Sequence, residues 1–233
     1  MMLTLVLLPG MDGTGDLFDP LLKELGDRLA FNVIRYPVNS RDGYSKLTEF
    51  VRLKLPSEGK FILLGESFSG PIAVTLAAEL NPRLVGLILC CTFVSNPQPS
   101  IGVFQQILPL WVIELSSTKI MIRSMLGRFS NKAVCELIQK AIKSVPTKTF
   151  KSRMIAAMSV NVENELVATN VPILYLKASN DWFIPKSVPV RIKRLKTTVR
   201  IANIDGPHFL LQANPRGAAA EILNFASALQ FTK

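Results

Sequence analysis

The sequence predicts a three-layer α/β domain on a mostly parallel sheet of about six strands, with a helical cap inserted before the sheet is complete. Three observations predict it. Short, continuously apolar runs alternate with longer stretches of helical periodicity, the pattern of parallel strands covered on both faces by helices. One helical stretch is far too long for an ordinary crossover. The chain, 233 residues and 48% hydrophobic, can bury a single large core.

In chain order, LTLVLL at 3–8 is a first strand stopped by Pro9 and Gly10, and 19–29 forms a helix. A second strand at 31–35 is followed by a helix at 47–55, and FILL at 61–64 is a third strand ending in GESFSG. Pro71 suits the first turn of the next helix, 71–80, because its missing N–H would have no partner there. Ala73, Leu76, Ala77 and Leu80 give that helix an apolar face on which small residues allow close approach to a sheet. A fourth strand at 84–90 precedes the long insertion, whose segments QQILPLWVIEL, TKIMIRSMLGRF, KAVCELIQKAIKSV and TFKSRMIAAMSV are separated by proline, glycine or serine. The sheet resumes at Asn170-Val171-Pro172-Ile173 with strands at 173–176 and 198–201, and a helix at 216–231 closes the chain. The expected division is a core of 1–95 and 166–233 with a cap of 96–165.

The net charge of +10 is unevenly spread: from Lys119 to Arg153 nine basic residues face the single Glu136, and six more lie between Lys186 and Arg200 without an acid. A solvated face is the plain reading, and a surface that attracts an anionic substrate or an anionic lipid is the functional one. Nucleic acid is not an expected partner, since no recognition motif accompanies the charge. No run approaches the roughly 18 apolar residues of a membrane span, and MMLTLVLLPG lacks a basic leader segment. Cys90, Cys91 and Cys135, odd in number and in apolar surroundings, point to buried thiols in a reducing, cytoplasmic compartment. With one histidine and no CxxC, neither a metal site nor a cofactor is expected, and no glycine pattern for a nucleotide occurs.

GESFSG follows a strand and precedes a helix, the context in which a sharp turn projects one side chain at the carboxyl edge of a parallel sheet. Ser67 is that side chain. Without a base it would only cap the helix behind it, because a serine hydroxyl is a poor nucleophile until its proton is removed. His208, the only histidine, lies in IDGPHFLLQANP beyond the final strand, where sites in open α/β sheets collect. A carboxylate should orient the imidazole. Asp181, in YLKASNDWFIP, arises from an adjacent strand end and is preferred to Asp205, which is nearer in sequence. The order Ser67, Asp181, His208 is that of hydrolases on this scaffold. An oxyanion would need two backbone donors, the N–H groups of Phe68 and of Met11 in PGMDGTGD.

These segments together resemble the α/β-hydrolase family. LVLLPGMDGTGDLF is similar to its oxyanion loop, FILLGESFSGPIAV to its nucleophile elbow, VPILYLKASNDWFIP to its acid loop and IDGPHFLLQANPRGAAAEILNF to its histidine loop and last helix. The resemblance implies Ser67 as nucleophile, Asp181 as acid, His208 as base, Met11 and Phe68 as oxyanion-hole amides, and a cap that shapes an acyl pocket. Three features depart from the pattern: Pro9-Gly10 replaces His-Gly, Ser69 replaces a glycine and must point away from the turn, and the chain starts at the family's third strand. Candidate pocket residues are Phe104, Ile107, Leu108, Leu110, Trp111, Ile120, Met121, Met125 and Phe209, although helix-to-core packing explains the same spacing. The implied activity is cleavage of a small-molecule ester with a short or medium acyl chain. Thioester cleavage, acyl transfer or perhydrolysis on the same triad, carbon–carbon bond hydrolysis, and non-catalytic binding of a small ligand are the alternatives.

Overall fold

The computed structural model describes residues 3–97 and 118–230. One six-stranded sheet runs in the order β2-β1-β3-β4-β5-β6, from β1 (Thr4–Leu8), β2 (Ala30–Val33), β3 (Phe61–Glu66), β4 (Leu84–Cys90), β5 (Ile173–Asn180) and β6 (Arg200–Pro207). Every neighbouring pair is parallel, so the described sheet is parallel throughout and not merely for the most part. The helices are, in chain order, α1 (Asp19–Leu25), α2 (Tyr44–Arg52), α3 (Gly70–Ala78), α4 (Lys119–Leu126), α5 (Lys132–Lys143), α6 (Thr147–Ser159), α7 (Glu163–Ala168), α8 (Ser187–Leu195), α9 (Leu210–Ala213) and α10 (Pro215–Gln230).

Strand alternation divides the core into two layers, since successive side chains leave opposite faces. Val6, Leu8, Phe61 and Leu63 pack with Leu47 and Val51 of α2, Ile72 and Leu76 of α3, Leu166 of α7 and Ile192 of α8. Leu5, Leu7, Ile62 and Leu64 pack instead with Leu21 and Leu25 of α1 and with Ala218, Ile222 and Phe225 of α10. A central strand covered on both faces cannot alternate in polarity, which is why β3 reads as an unbroken apolar run and is buried from end to end.

The edges explain what the apolar-run criterion misplaces. β6 extends from Arg200 to Pro207, well beyond the expected 198–201, and its outward residues Asn203 and Asp205 are exposed. An edge strand tolerates polar residues on one side, so it carries no continuous apolar signal. The same bias hid α8, whose basic residues mask the buried Pro189 and Ile192 beneath them.

Of the cap segments, α4, α5 and α6 carry three of the four helical patterns, while QQILPLWVIEL, with Phe104, Ile107, Leu108, Leu110 and Trp111, lies outside the described residues. Thr118 and Asn131 cap α4 and α5 by accepting from the Met121 and Val134 amides. Ile122, Leu126, Val134, Cys135, Ile138 and Ala141 form a small core against Leu17 of the loop after β1, and Arg128 pairs with Asp205 of β6, which seats the cap on the sheet.

The turn between β3 and α3 is the tightest junction. A Cβ added at Gly65 would lie 2.7 Å from the Ser69 carbonyl oxygen and 2.8 Å from the Ala73 Cβ, and one at Gly70 would strike the Thr92 side chain, 2.8 Å from its Cβ. Thr92 is fully buried and has no room to yield. Gly70→Ala is therefore expected to lower stability by about 1–3 kcal/mol or more through overpacking, measurable as a fall in the urea midpoint at unchanged slope.

Candidate active site

The GESFSG turn places Ser67 at φ +48°, a left-handed conformation that costs a β-substituted residue about 1–2 kcal/mol. Surrounding groups hold it there. Thr92 donates from its hydroxyl to the Ser67 carbonyl, and Tyr44 donates to the Phe68 carbonyl at 2.9 Å. The Phe68 ring stacks on Tyr44 with centroids 4.7 Å apart. Ser69 points away from the turn, but not to solvent: it is fully buried and donates to the Pro9 carbonyl. Its proton thus spent, it accepts from the Tyr36 hydroxyl at 2.6 Å. Burial pushes the Tyr36 phenol far above its usual range, which keeps it a donor. Ser69 is accordingly a hydrogen-bonded tie between the elbow and the loop after β1.

Three strand ends then bring the predicted polar residues together. Ser67 Oγ lies 2.9 Å from His208 Nε2, and His208 Nδ1 lies 2.9 and 3.0 Å from the two carboxylate oxygens of Asp181. Asp181 Oδ1 also accepts from the Phe183 and Ile184 amides at 2.8 and 2.9 Å. Burial opposes its ionisation, but the imidazole and these amides outweigh that and leave its pKa below the ordinary carboxylate value. An ionised acceptor on Nδ1 selects the tautomer whose Nε2 is free to accept from Ser67. Phe183 and Phe209 flank the imidazole, their ring centroids 4.9 and 5.9 Å away. Asp205 points elsewhere. It binds Arg128 and Ser179 on the surface.

The loop after β1 lies against the elbow. Gly10 is close enough that an added Cβ would sit 3.9 Å from the Ser67 Cβ and 3.5 Å from Asp12 Oδ1. Above it, a cavity of about 510 Å³ opens between core and cap, with Ser67, His208 and Met11 at its floor and Met125, Ile142, Phe150, Met154 and Met158 among its walls. Of the other pocket residues inferred from sequence, Met125 and Phe209 line this cavity and Met121 is not among its lining residues. Ile120 is 83% exposed. Phe150, Met154 and Met158 went unrecognised because α6 carries its basic residues among its apolar ones.

No protein-family model and no curated protein matches the chain significantly. Its structure, however, is similar to the enol-lactonase from Burkholderia xenovorans LB400, with TM-score 0.83 and 14% identity over 97% of this chain and 92% of that one. It is also similar to a lipase-esterase related protein from Clostridium acetobutylicum ATCC 824, with TM-score 0.76 and 17% identity over 96% of this chain and 94% of that one. A third similar structure is MGS-M2, an alpha/beta hydrolase enzyme from a Medee basin deep-sea metagenome library, with TM-score 0.75 and 15% identity over 97% of this chain and 90% of that one. The chain has the α/β-hydrolase fold with a helical cap.

Glu66, immediately before Ser67, is a polar residue that the sequence did not single out. It is 5% exposed and accepts from Gln212 Nε2 at 3.0 Å through Oε1, while its Oε2 and the Gln212 Oε1 are buried with no hydrogen-bond partner among the described residues. Burial raises its pKa from 4.5 to about 7; the Gln212 bond opposes the rise and the nearby Asp12 adds to it. A protonated Glu66 brings a donor to a place that lacks one. Since an unfolded glutamate titrates near 4.5, the native state holds the proton more tightly, and this contribution is fully present below that value and lost as pH rises through about 7. Wild-type stability should fall by on the order of 3 kcal/mol between pH 4.5 and pH 8 from this group. Urea titrations across that range should show Glu66→Gln losing less.

Proposed function

We propose that this chain is a serine hydrolase that cleaves carboxylic esters of short or medium acyl chains through an acyl-enzyme, with Ser67, His208 and Asp181 as its triad. The observation that carries the reading is the continuous relay from Ser67 Oγ through both nitrogens of His208 to Asp181, at 2.9 Å on each side of the ring. The names of the similar proteins, a lactonase and a lipase-esterase related protein, concern ester bonds and favour the same chemistry.

In this mechanism Ser67 Oγ attacks the ester carbonyl carbon as His208 Nε2 takes its proton. The carbonyl oxygen becomes an oxyanion held by the Met11 and Phe68 amides, the donors this scaffold provides after the nucleophile and after the first strand. Collapse breaks the bond to the leaving alkoxide, which receives the proton from His208. Water then gives its proton to the same nitrogen, attacks the acyl carbon, and releases the carboxylic acid and Ser67. Asp181 remains ionised and stabilises the imidazolium formed at each step.

The cavity walls favour a neutral acyl group. Its described lining includes Asp12 and Glu66 and no lysine or arginine, so no basic side chain of the cap faces the space a substrate would fill. An anionic substrate tail or an anionic surface would have to meet the exposed face of the cap instead. The three free, buried cysteines favour a reducing, cytoplasmic setting.

Hydrolysis of p-nitrophenyl esters from acetyl to palmitoyl should locate the chain-length optimum, with turnover in Ser67→Ala and His208→Ala reduced about 10⁴-fold or more. Near-normal rates in Ser67→Ala would overturn the assignment. Between the two carboxylates, Asp181→Asn should cripple turnover while Asp205→Asn, which loses only surface bonds, should leave it close to wild type.

A further inference from the structure

Arg153 belongs to the most basic stretch of the cap, yet it is 0% exposed. From α6 its guanidinium reaches the loop after β1, where Nη1 donates to both the Met11 and Asp12 carbonyls at 2.9 Å. Nη2 donates to the Pro37 carbonyl at 3.2 Å, and the group lies 5.7 Å over the Tyr36 ring. The loop is shaped to admit it. Gly13 has φ +71°, and a Cβ there would stand 2.5 Å from Nη1.

These contacts complete the pinning of three consecutive peptide planes. The Gly10 carbonyl accepts from the Gly13 amide at 3.0 Å, and Arg153 takes the next two carbonyls. In a planar trans peptide the N–H points opposite to the C=O, so the bond on the Gly10 oxygen fixes the direction of the Met11 N–H; Arg153, by holding the Asp12 oxygen, fixes in turn the plane of the Gly13 N–H that makes that bond, and by holding the Met11 oxygen it fixes the plane between them. A donor that must meet an oxyanion gains its effect from being aimed beforehand.

We infer that Arg153 is a positioning residue, through which the seated cap holds the Met11 amide in place for the oxyanion. This rests on the hydrolase reading, and it makes transition-state stabilisation depend on a side chain of the cap that touches no substrate. Lysine cannot replace it, because one ammonium cannot present a planar fork to two neighbouring carbonyls and a third.

The test compares wild type with Arg153→Lys and Arg153→Met. Turnover per active site, counted with a fluorophosphonate probe, should fall about 10–100-fold while KM for a p-nitrophenyl ester changes little. Amide hydrogen exchange should quicken in residues 9–14 and stay unchanged in residues 70–78. If Arg153→Met does not fold, Arg153→Lys carries the comparison. Unchanged turnover per site, a rise in KM alone, or unchanged exchange at 9–14 would overturn the inference. If wild-type Ser67 neither reacts with the probe nor supports ester turnover, the hydrolase reading fails by itself, and the exchange measurement still decides whether Arg153 orders the loop.

Discussion

The structure depends on the close approach of β3 and α3 across a turn that has no space for a side chain at Gly65 or Gly70. That contact forces Ser67 into a left-handed conformation at the carboxyl end of β3, an arrangement the residue would not adopt alone. Holding it requires partners from outside the turn, and each comes from a different part of the chain: Thr92 after β4, Tyr44 in α2, and Pro9 through Ser69. The strain is thus distributed over groups already buried for packing. Those same groups register the elbow against the loop after β1, so the two are one assembly.

How much of this was legible in the sequence follows from how each signal arises. The central strands announce themselves because burial on both faces leaves only apolar residues, and Ser67, Asp181 and His208 stand out because each follows a strand end in a loop rich in glycine, proline or asparagine. The true reach of β6 was not legible, since Asn203 and Asp205 face outward on an edge strand. Arg153 was not legible for a deeper reason. A sequence pattern assigns charge to the surface, and only the fold shows that Met11, Asp12 and Pro37 offer three carbonyls to a guanidinium taken out of water. Ser69 and Glu66 were hidden likewise, because their partners Pro9, Tyr36 and Gln212 are distant in the chain.

The buried charges near Ser67 form a pattern that net composition conceals. The chain carries +10 overall, but three carboxyls, those of Asp12, Glu66 and Asp181, gather around Ser67 and His208. A developing oxyanion close to three full carboxylates would be disfavoured, as like charges are in a poorly solvated site. Two devices reduce that field. Asp181 is neutralised through His208 and two amides, and Glu66, with its pKa raised to about 7, carries a proton over part of the neutral range.

The compensation for Asp12 comes from the cap. Its carboxylate accepts from the amide and hydroxyl of Thr14, at 2.9 and 2.5 Å, while the Arg153 guanidinium binds the carbonyl of the same residue. A buried guanidinium bonded only to carbonyls would be costly to desolvate, and the nearby carboxylate offsets part of that cost, just as the cation offsets the carboxylate's. Neither charge is well placed without the other. Separating the cap from the core would therefore do more than open the cavity: it would leave an uncompensated carboxylate two residues from Gly10 and release the Met11 and Asp12 carbonyls that Arg153 holds. The cap is in this sense part of the electrostatic floor of the site as well as the wall of its pocket.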